Sequence, residues 1–347
     1  MEVNAVFQGG GVKGIGLAGA VCSAERNHVV FSRLAGTSSG SIVAALLAAG
    51  YSGEELKTII MQTPFSHFLK KSVLFRVKWV GPAARVYLKK GLYAGDRLEE
   101  WISGLLEARG IRTFGDLPAG KLQIIASDIT QGRLLVLPGD IAKYGFDPDR
   151  FSVAKAIRMS TSIPFFFDPV ILRKRYPQGT RSEPFRQQFV YVVDGGLLSN
   201  FPLWLFDKDT KDPKHPVPTL GFQLVGSAPK HANRIVGPLT MFRALFDTMM
   251  DAHDERYIEE DEGFRTIMIP SADVGTTEFN IKPEQSQALF ESGVHAADRF
   301  FRRFSMHRYM KLYAAKVGHK QSDQSSSKGI PVDSHEEHEP VGRIRRV

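Results

Sequence analysis

A chain of 347 residues, 43% hydrophobic and 24% charged, is long enough to bury one large α/β core or two smaller ones. Its single cysteine, Cys22, excludes an intrachain disulfide and a thiolate metal cluster, and is expected as an inert thiol on the apolar face of a helix. The formal charge of +8 favours an anionic partner, either lipid or nucleic acid, while no apolar run approaches a membrane span and Met1–Phe7 carries no basic leader. A cytoplasmic protein is expected, peripheral to the inner face of a membrane if it meets one.

In chain order, Val3–Phe7 reads as a short buried strand stopped by Gln8 and three glycines. Ile15–Arg26 reads as a helix, Val29–Ala35 as a second strand and Ser39–Ala49 as a second helix. This strand–loop–helix order, repeated, predicts a parallel α/β sheet, with ligands gathered outside the carboxyl ends of its strands. Residues 64–95 interrupt the pattern as a cap or interface segment. Within 65–90, Lys70, Lys71, Arg76, Lys78, Arg85, Lys89 and Lys90 are interleaved with aromatic and aliphatic residues, and no acid is present. Such a segment can meet anionic lipid headgroups, or it can be a core-facing helix with a solvated basic face. Aromatic and basic residues also suit a single-strand nucleic-acid groove, but no nucleic-acid module accompanies them, and no nucleic-acid partner is expected.

Asp96–Arg109 predicts a helix, Leu122–Ala126 a buried strand, and Arg133–Leu137 a strand pairing near it. Val153–Ser160 predicts a short helix that ends before Pro164. Val170–Leu172, Phe189–Val193, Leu220–Val225 and Thr266–Ile269 read as extended, with helices over about 238–262 and 283–314. Residues 315–347 are polar and build no apolar face, so they are expected to be a flexible tail after a domain spanning 1–314.

Gly36-Thr37-Ser38-Ser39-Gly40 lies at a predicted strand-to-helix corner. A serine held there exposes its hydroxyl near a helix N-terminus, where an electrophilic carbonyl can meet it. Upstream, Gly9-Gly10-Gly11-Val12-Lys13-Gly14 has the G-x-G-x-x-G spacing of a dinucleotide fingerprint. Its companion acid at the end of the second strand is missing, and the P-loop order G-x-x-x-x-G-K-[ST] is absent too. The glycines have another use: successive backbone N–H groups can point at one oxygen as it gains charge. Gly10 and Gly11 are the leading oxyanion donors, with the Ser39 amide in support. Lys13 either shapes the loop field or reaches solvent.

A base for Ser38 is sought among ten histidines, of which His253 and His295 are the least implausible, and Asp194. Asp194 follows Phe189–Val193 and precedes Gly195-Gly196, so a strand delivers its carboxylate to the same end of the sheet. The alternative reading of Asp-Gly-Gly is a simple turn cap. A carboxylate of ordinary pKa near 4 is a poor general base unless its site is dry.

The three motifs, Gly9–Gly14, Gly36–Gly40 and Asp194–Gly196 in this order, together resemble the patatin-like phospholipase family over roughly residues 3–310. The resemblance implies a three-layer patatin-like fold with a central, mostly parallel β-sheet flanked by helices. It implies Ser38 as nucleophile, Asp194 as its dyad partner, the first glycine loop as oxyanion hole, and no metal or redox cofactor. Ser160-Thr161-Ser162-Ile163-Pro164 looks like the family's serine-to-proline segment lining the active-site region, and Ser160 and Ser162 are read as structural. The loop begins after Gln8 where an acid is usual, which leaves its backbone donors untouched. The expected activity is hydrolysis of fatty-acyl esters of phospholipids, with possible peripheral association with an anionic membrane. The alternatives are a soluble carboxylesterase or lysophospholipase, and a noncatalytic lipid-binding scaffold.

Overall fold

The computed structural model describes residues 1–69, 81–176, 183–207, 217–226, 235–237, 240–241, 244–245, 248–249, 263–271 and 274–315. The named elements in chain order are β1 (Glu2–Phe7), α1 (Ile15–Arg26), β2 (Val30–Thr37), α2 (Ser39–Ala48), α3 (Gly53–Gln62) and α4 (Gly81–Lys89). They continue with β3 (Gly91–Tyr93), α5 (Asp96–Glu107), β4 (Leu122–Asp128), β5 (Arg133–Leu137), α6 (Val153–Ser160) and β6 (Phe165–Phe167). The last are β7 (Val170–Arg173), β8 (Phe189–Asp194), β9 (Thr219–Val225), β10 (Thr266–Pro270) and α7 (Pro283–Arg303).

The main sheet runs β10-β9-β1-β2-β4-β8-β7, with β5 paired to β4. The block β10-β9-β1-β2-β4 is parallel, while β5, β8 and β7 add antiparallel pairings. Side-chain alternation sorts the strands' two faces. Ala5, Phe7 and Leu34 join the main core, whereas Val6 and Ala35 face a smaller cluster with Phe201, Leu203 and Phe206. On the main-core side α1 is buried from Ile15 to Ala24. Its small residues let α7 cross at backbone distance: a Cβ on Gly293 would fall 1.9 Å from the Gly16 carbonyl oxygen.

One pairing detail positions everything that follows. β2 runs along β4 from Leu34↔Leu122 to Thr37↔Ile125. β8 approaches from the opposite direction and ends at Asp194↔Ala126. Because β5 occupies the other edge of β4 over Ile124–Asp128, β2 and β8 share one edge and meet end to end. The residue after β2 is Ser38, and the last of β8 is Asp194.

The mixed α/β sheet agrees with the expected fold. The second strand is longer than expected, running through Thr37, so the corner begins at Ser38 itself. The last helix stops at Arg303 and Phe304 is extended. The chain divides into two units, Met1–Phe304 and Ser305–Val347. In the second, residues 306–315 are helical, and the predicted tail from 316 onward lies outside the described residues. Most of the expected 238–262 helix also lies outside them, although 240–241, 244–245 and 248–249 are helical. Among the described residues, no helix is long and apolar enough to cross a membrane.

Candidate active site

Ser38 sits at φ +51° and ψ −125°, a left-handed conformation that is strained for a non-glycine residue. Its own peptide groups are clamped. Its N–H donates to Ser160 Oγ at 2.8 Å, and its carbonyl accepts from Ser41 Oγ at 2.6 Å and Ser41 N at 2.9 Å. The flanking glycines are required by close crossing. A Cβ on Gly36 would lie 2.3 Å from the Gly40 carbonyl oxygen, and one on Gly40 2.3 Å from that of Phe7. Thr37 fixes the opposite side by donating from Oγ1 to the Ser199 carbonyl at 3.1 Å.

Asp194 is wholly buried. Its backbone N–H donates to the Ser162 carbonyl at 2.9 Å, and its Oδ1 accepts from Gly196 N–H at 2.8 Å. Among the described residues Oδ2 has no hydrogen bond of ordinary geometry, and the Ser38 hydroxyl is the side-chain donor that stabilises the Asp194 charge. Loss of water dominates: burial pushes the carboxyl up to about 7, against smaller opposing pulls from Gly196 N–H and the Ser38 hydroxyl. A carboxyl near 7 is matched to proton transfer at neutral pH.

The glycine loop closes as one 3₁₀ turn, Gly11–Gly14, against α1. Gly9 N–H donates to the Asn200 carbonyl at 3.2 Å, Val12 N–H to that of Thr276 at 3.2 Å, and Gly10 N–H to Ser39 Oγ at 3.1 Å. Gly11, at φ +57°, keeps its N–H clear of hydrogen bonds to described residues, and the Ser39 N–H lies in the unpaired first turn of α2. Of the expected donors, the Gly11 and Ser39 amides have no acceptor among the described residues, and Gly10 is engaged by Ser39 Oγ. Lys13 is half-buried and its N–H returns to the Gly10 carbonyl at 3.2 Å.

Gly11, Gly14, Ser38 and Ser39 form one wall of an apolar cavity of about 70 Å³. Its other walls come from Ile42 and Val43 of α2, Phe65 and Phe68, Leu98 and Trp101 of α5, and Ile163, Phe167 and Phe279. No histidine among the described residues lines it. Among the described residues His28, His67, His295 and His307 are all exposed, and His253 lies outside the described residues.

The 158–168 segment contributes more than its sequence announced. Ser160 holds the backbone of Ser38 and Ser162 that of Asp194, so one turn grips both residues. Arg158, buried, donates to Ser162 Oγ, to the Ala94 carbonyl and to the Asp168 carbonyl. The basic reading of residues 65–90 needs a correction at Arg85. It is 4% exposed, in a two-armed pair with Asp168 at 2.8 and 2.9 Å and a further bond to the Gly91 carbonyl. A buried guanidinium requires such partners, and Asp168 supplies them from 83 residues away. Tyr87, Leu88, Lys89 and Lys90 are exposed, whereas Lys70, Lys71, Arg76 and Lys78 lie outside the described residues. Cys22 is buried as expected, and burial holds its thiol up at about 12.

The family model of patatin-like phospholipases matches residues 5–207, from β1 through the serine corner to Asp194 and beyond. The chain belongs to the patatin-like phospholipase family. It is therefore one of the lipid acyl hydrolases. It is 42% identical over 313 residues to the uncharacterized protein YqhO of Bacillus subtilis (strain 168), covering 88% of this chain and 100% of that one. It is 27% identical over 214 residues to the probable lipid hydrolase 463L of Invertebrate iridescent virus 6, covering 57% and 61% of the two chains. Among solved structures, VipD from Legionella pneumophila superposes with a TM-score of 0.50 at 15% identity, over 86% of this chain and 66% of VipD. That likeness concerns the patatin-like fold.

Proposed function

We propose that the chain hydrolyses fatty-acyl esters of phospholipids through a Ser38–Asp194 dyad and an acyl-enzyme intermediate. The observation supporting this reading is that Ser38 and Asp194, both buried, stand where two strands meet end to end, with Ser38 on the wall of an apolar cavity. As Ser38 Oγ bonds to the ester carbonyl carbon, its proton passes to Asp194 Oδ2. The carbonyl oxygen takes up negative charge facing the Gly11 and Ser39 N–H groups, with Gly10 joining them if Ser39 Oγ releases it. The ester C–O bond then breaks, and Asp194 returns the proton to the departing alcohol oxygen. Water attacks the acyl-enzyme, its proton passing through Asp194 to Ser38 Oγ as the fatty acid leaves. No step requires a metal or an organic cofactor.

The surface end of α4 supports delivery from a membrane. Tyr87 is 86% and Leu88 62% exposed, followed directly by exposed Lys89 and Lys90. Apolar groups beside lysines suit an anionic headgroup layer.

Product analysis on mixed phosphatidylcholine–phosphatidylglycerol vesicles tests the reading. The expected result is release of free fatty acid and lysophospholipid by the wild type and neither by Ser38→Ala. Efficient saturation by short soluble esters with no response to vesicles would favour a carboxylesterase. Vesicle binding without product would favour a scaffold.

A further inference from the structure

The cavity beside Ser38 is smaller than the acyl group the proposed reaction places there. It measures about 70 Å³, whereas an apolar protein cavity of about 150 Å³ is what accommodates one benzene ring. A fatty-acyl chain attached to Ser38 needs a continuation. Two larger spaces share walls with the cavity. One, of about 610 Å³, lies behind Phe68 and Trp101 and is lined by His67, Asp96, Arg97 and Glu100. The other, of about 1070 Å³, lies behind Ile60, Phe65 and Phe279, between the end of α3 and the start of α7.

Chemistry and packing choose between them. Methylene groups laid among ionised side chains would strip water from charges and gain little. The space behind Phe65 also has two carboxylates on its lining, Glu284 and Glu291, but half of its sixteen lining residues are apolar, with Met61, Pro64, Ile281 and Ala288 extending the surface of Ile60, Phe65 and Phe279. The partitions differ as well. Phe68 is 2% exposed and packs on the Trp101 ring at 5.2 Å. Phe65, at the start of the same 3₁₀ turn (Phe65–Phe68), is half-buried and meets the Phe68 ring only edge-on at 6.2 Å. Phe279 is the firmer half of that second partition, stacked on Phe166 at 5.1 Å and 14°.

From this we infer that the groove between α3 and α7 is the binding site for the distal part of the substrate's acyl chain, with Phe65 the side chain that divides it from Ser38. Rotation of Phe65 away from Phe279 joins the two spaces, leaving the ester carbon at Ser38 and the chain along Ile60 and Ile281. The assignment rests on the hydrolase reading above and names where its substrate lies.

The test compares kcat/KM for p-nitrophenyl dodecanoate and butanoate. Ala288→Trp, which fills the groove, is expected to lower the dodecanoate-to-butanoate ratio at least tenfold, and Phe65→Ala to raise it. A ratio within twofold of wild type in both variants overturns the groove even though both esters are hydrolysed. Cross-linking gives an answer that does not depend on either variant folding. A diazirine-tailed palmitoyl ester held by Ser38→Ala is expected to mark residues 60–66 or 279–291, and marking confined to 94–101 overturns the assignment. If the wild type hydrolyses neither ester and a fluorophosphonate leaves Ser38 unlabelled, the hydrolase reading falls, and the groove's substrate with it.

Discussion

In the proposed dyad, burial of Asp194 has two opposing effects. The same loss of water that brings its carboxyl to about 7 makes it an effective proton acceptor and a costly charge to hold inside the protein. Turnover should therefore rise with pH through an acid limb near 7, since only the ionised carboxylate can take the Ser38 proton. Asp194→Asn, which keeps the shape and removes the base, should slow acylation by about 10²–10⁴-fold. Stability should move the other way. A folded-state pKa above the unfolded one means that protonation favours the fold, fully below about pH 4, and that this contribution is lost as pH rises through 7. Asp194→Asn should then be more stable than wild type at pH 8, by up to about 4 kcal/mol from a shift of roughly three units. Urea melts at pH 8 and pH 4 check this: the advantage should shrink at the lower pH, and an advantage independent of pH would rule out the buried charge as its source.

Elements differ in how much of their work could be read from the residues. The serine corner was legible because its signals are local: an apolar strand, glycines two residues either side of Ser38, and an apolar helix directly after. Asp194 was legible for the same reason, as a strand end followed by two glycines. The end-to-end meeting of β2 and β8 on one edge of β4 was not, because register between distant strands leaves no local trace. Nor was the burial of Arg85, which depends on Asp168, or the double grip of the turn after α6. That grip makes its own prediction. Ser160→Ala leaves the Ser38 amide buried without an acceptor, a loss of about 1–3 kcal/mol. It should lower kcat with KM nearly unchanged, because the hydroxyl touches the nucleophile's backbone and not the substrate. Urea melts and steady-state kinetics on a soluble ester test both parts, and a KM effect alone would assign Ser160 to substrate binding.

At the scale of the whole molecule, the formal charge of +8 gives a general attraction to anionic surfaces, but orientation has to come from a particular patch. α4 offers one. Arg85 ties the helix to Asp168, and Arg158 ties Ala94, just after the following strand, to α6, so Tyr87–Lys90 is presented from a fixed base. Replacing Lys89 and Lys90 with glutamine should weaken partition onto phosphatidylglycerol vesicles by roughly thirtyfold, from about 1 kcal/mol per cation near the surface. Sedimentation with vesicles measures it, and the difference should fade as salt is raised. Partition unaffected by either change would move the membrane contact elsewhere on the molecule.

The pairing of Ser38 with Asp194 is the claim on which the rest depends. Peptide mass mapping after treatment with a fluorophosphonate addresses it directly. The account predicts one adduct, on Ser38, formed far more slowly in Asp194→Asn and absent from Ser38→Ala. An adduct on another residue, or wild-type labelling kinetics in Asp194→Asn, would contradict it.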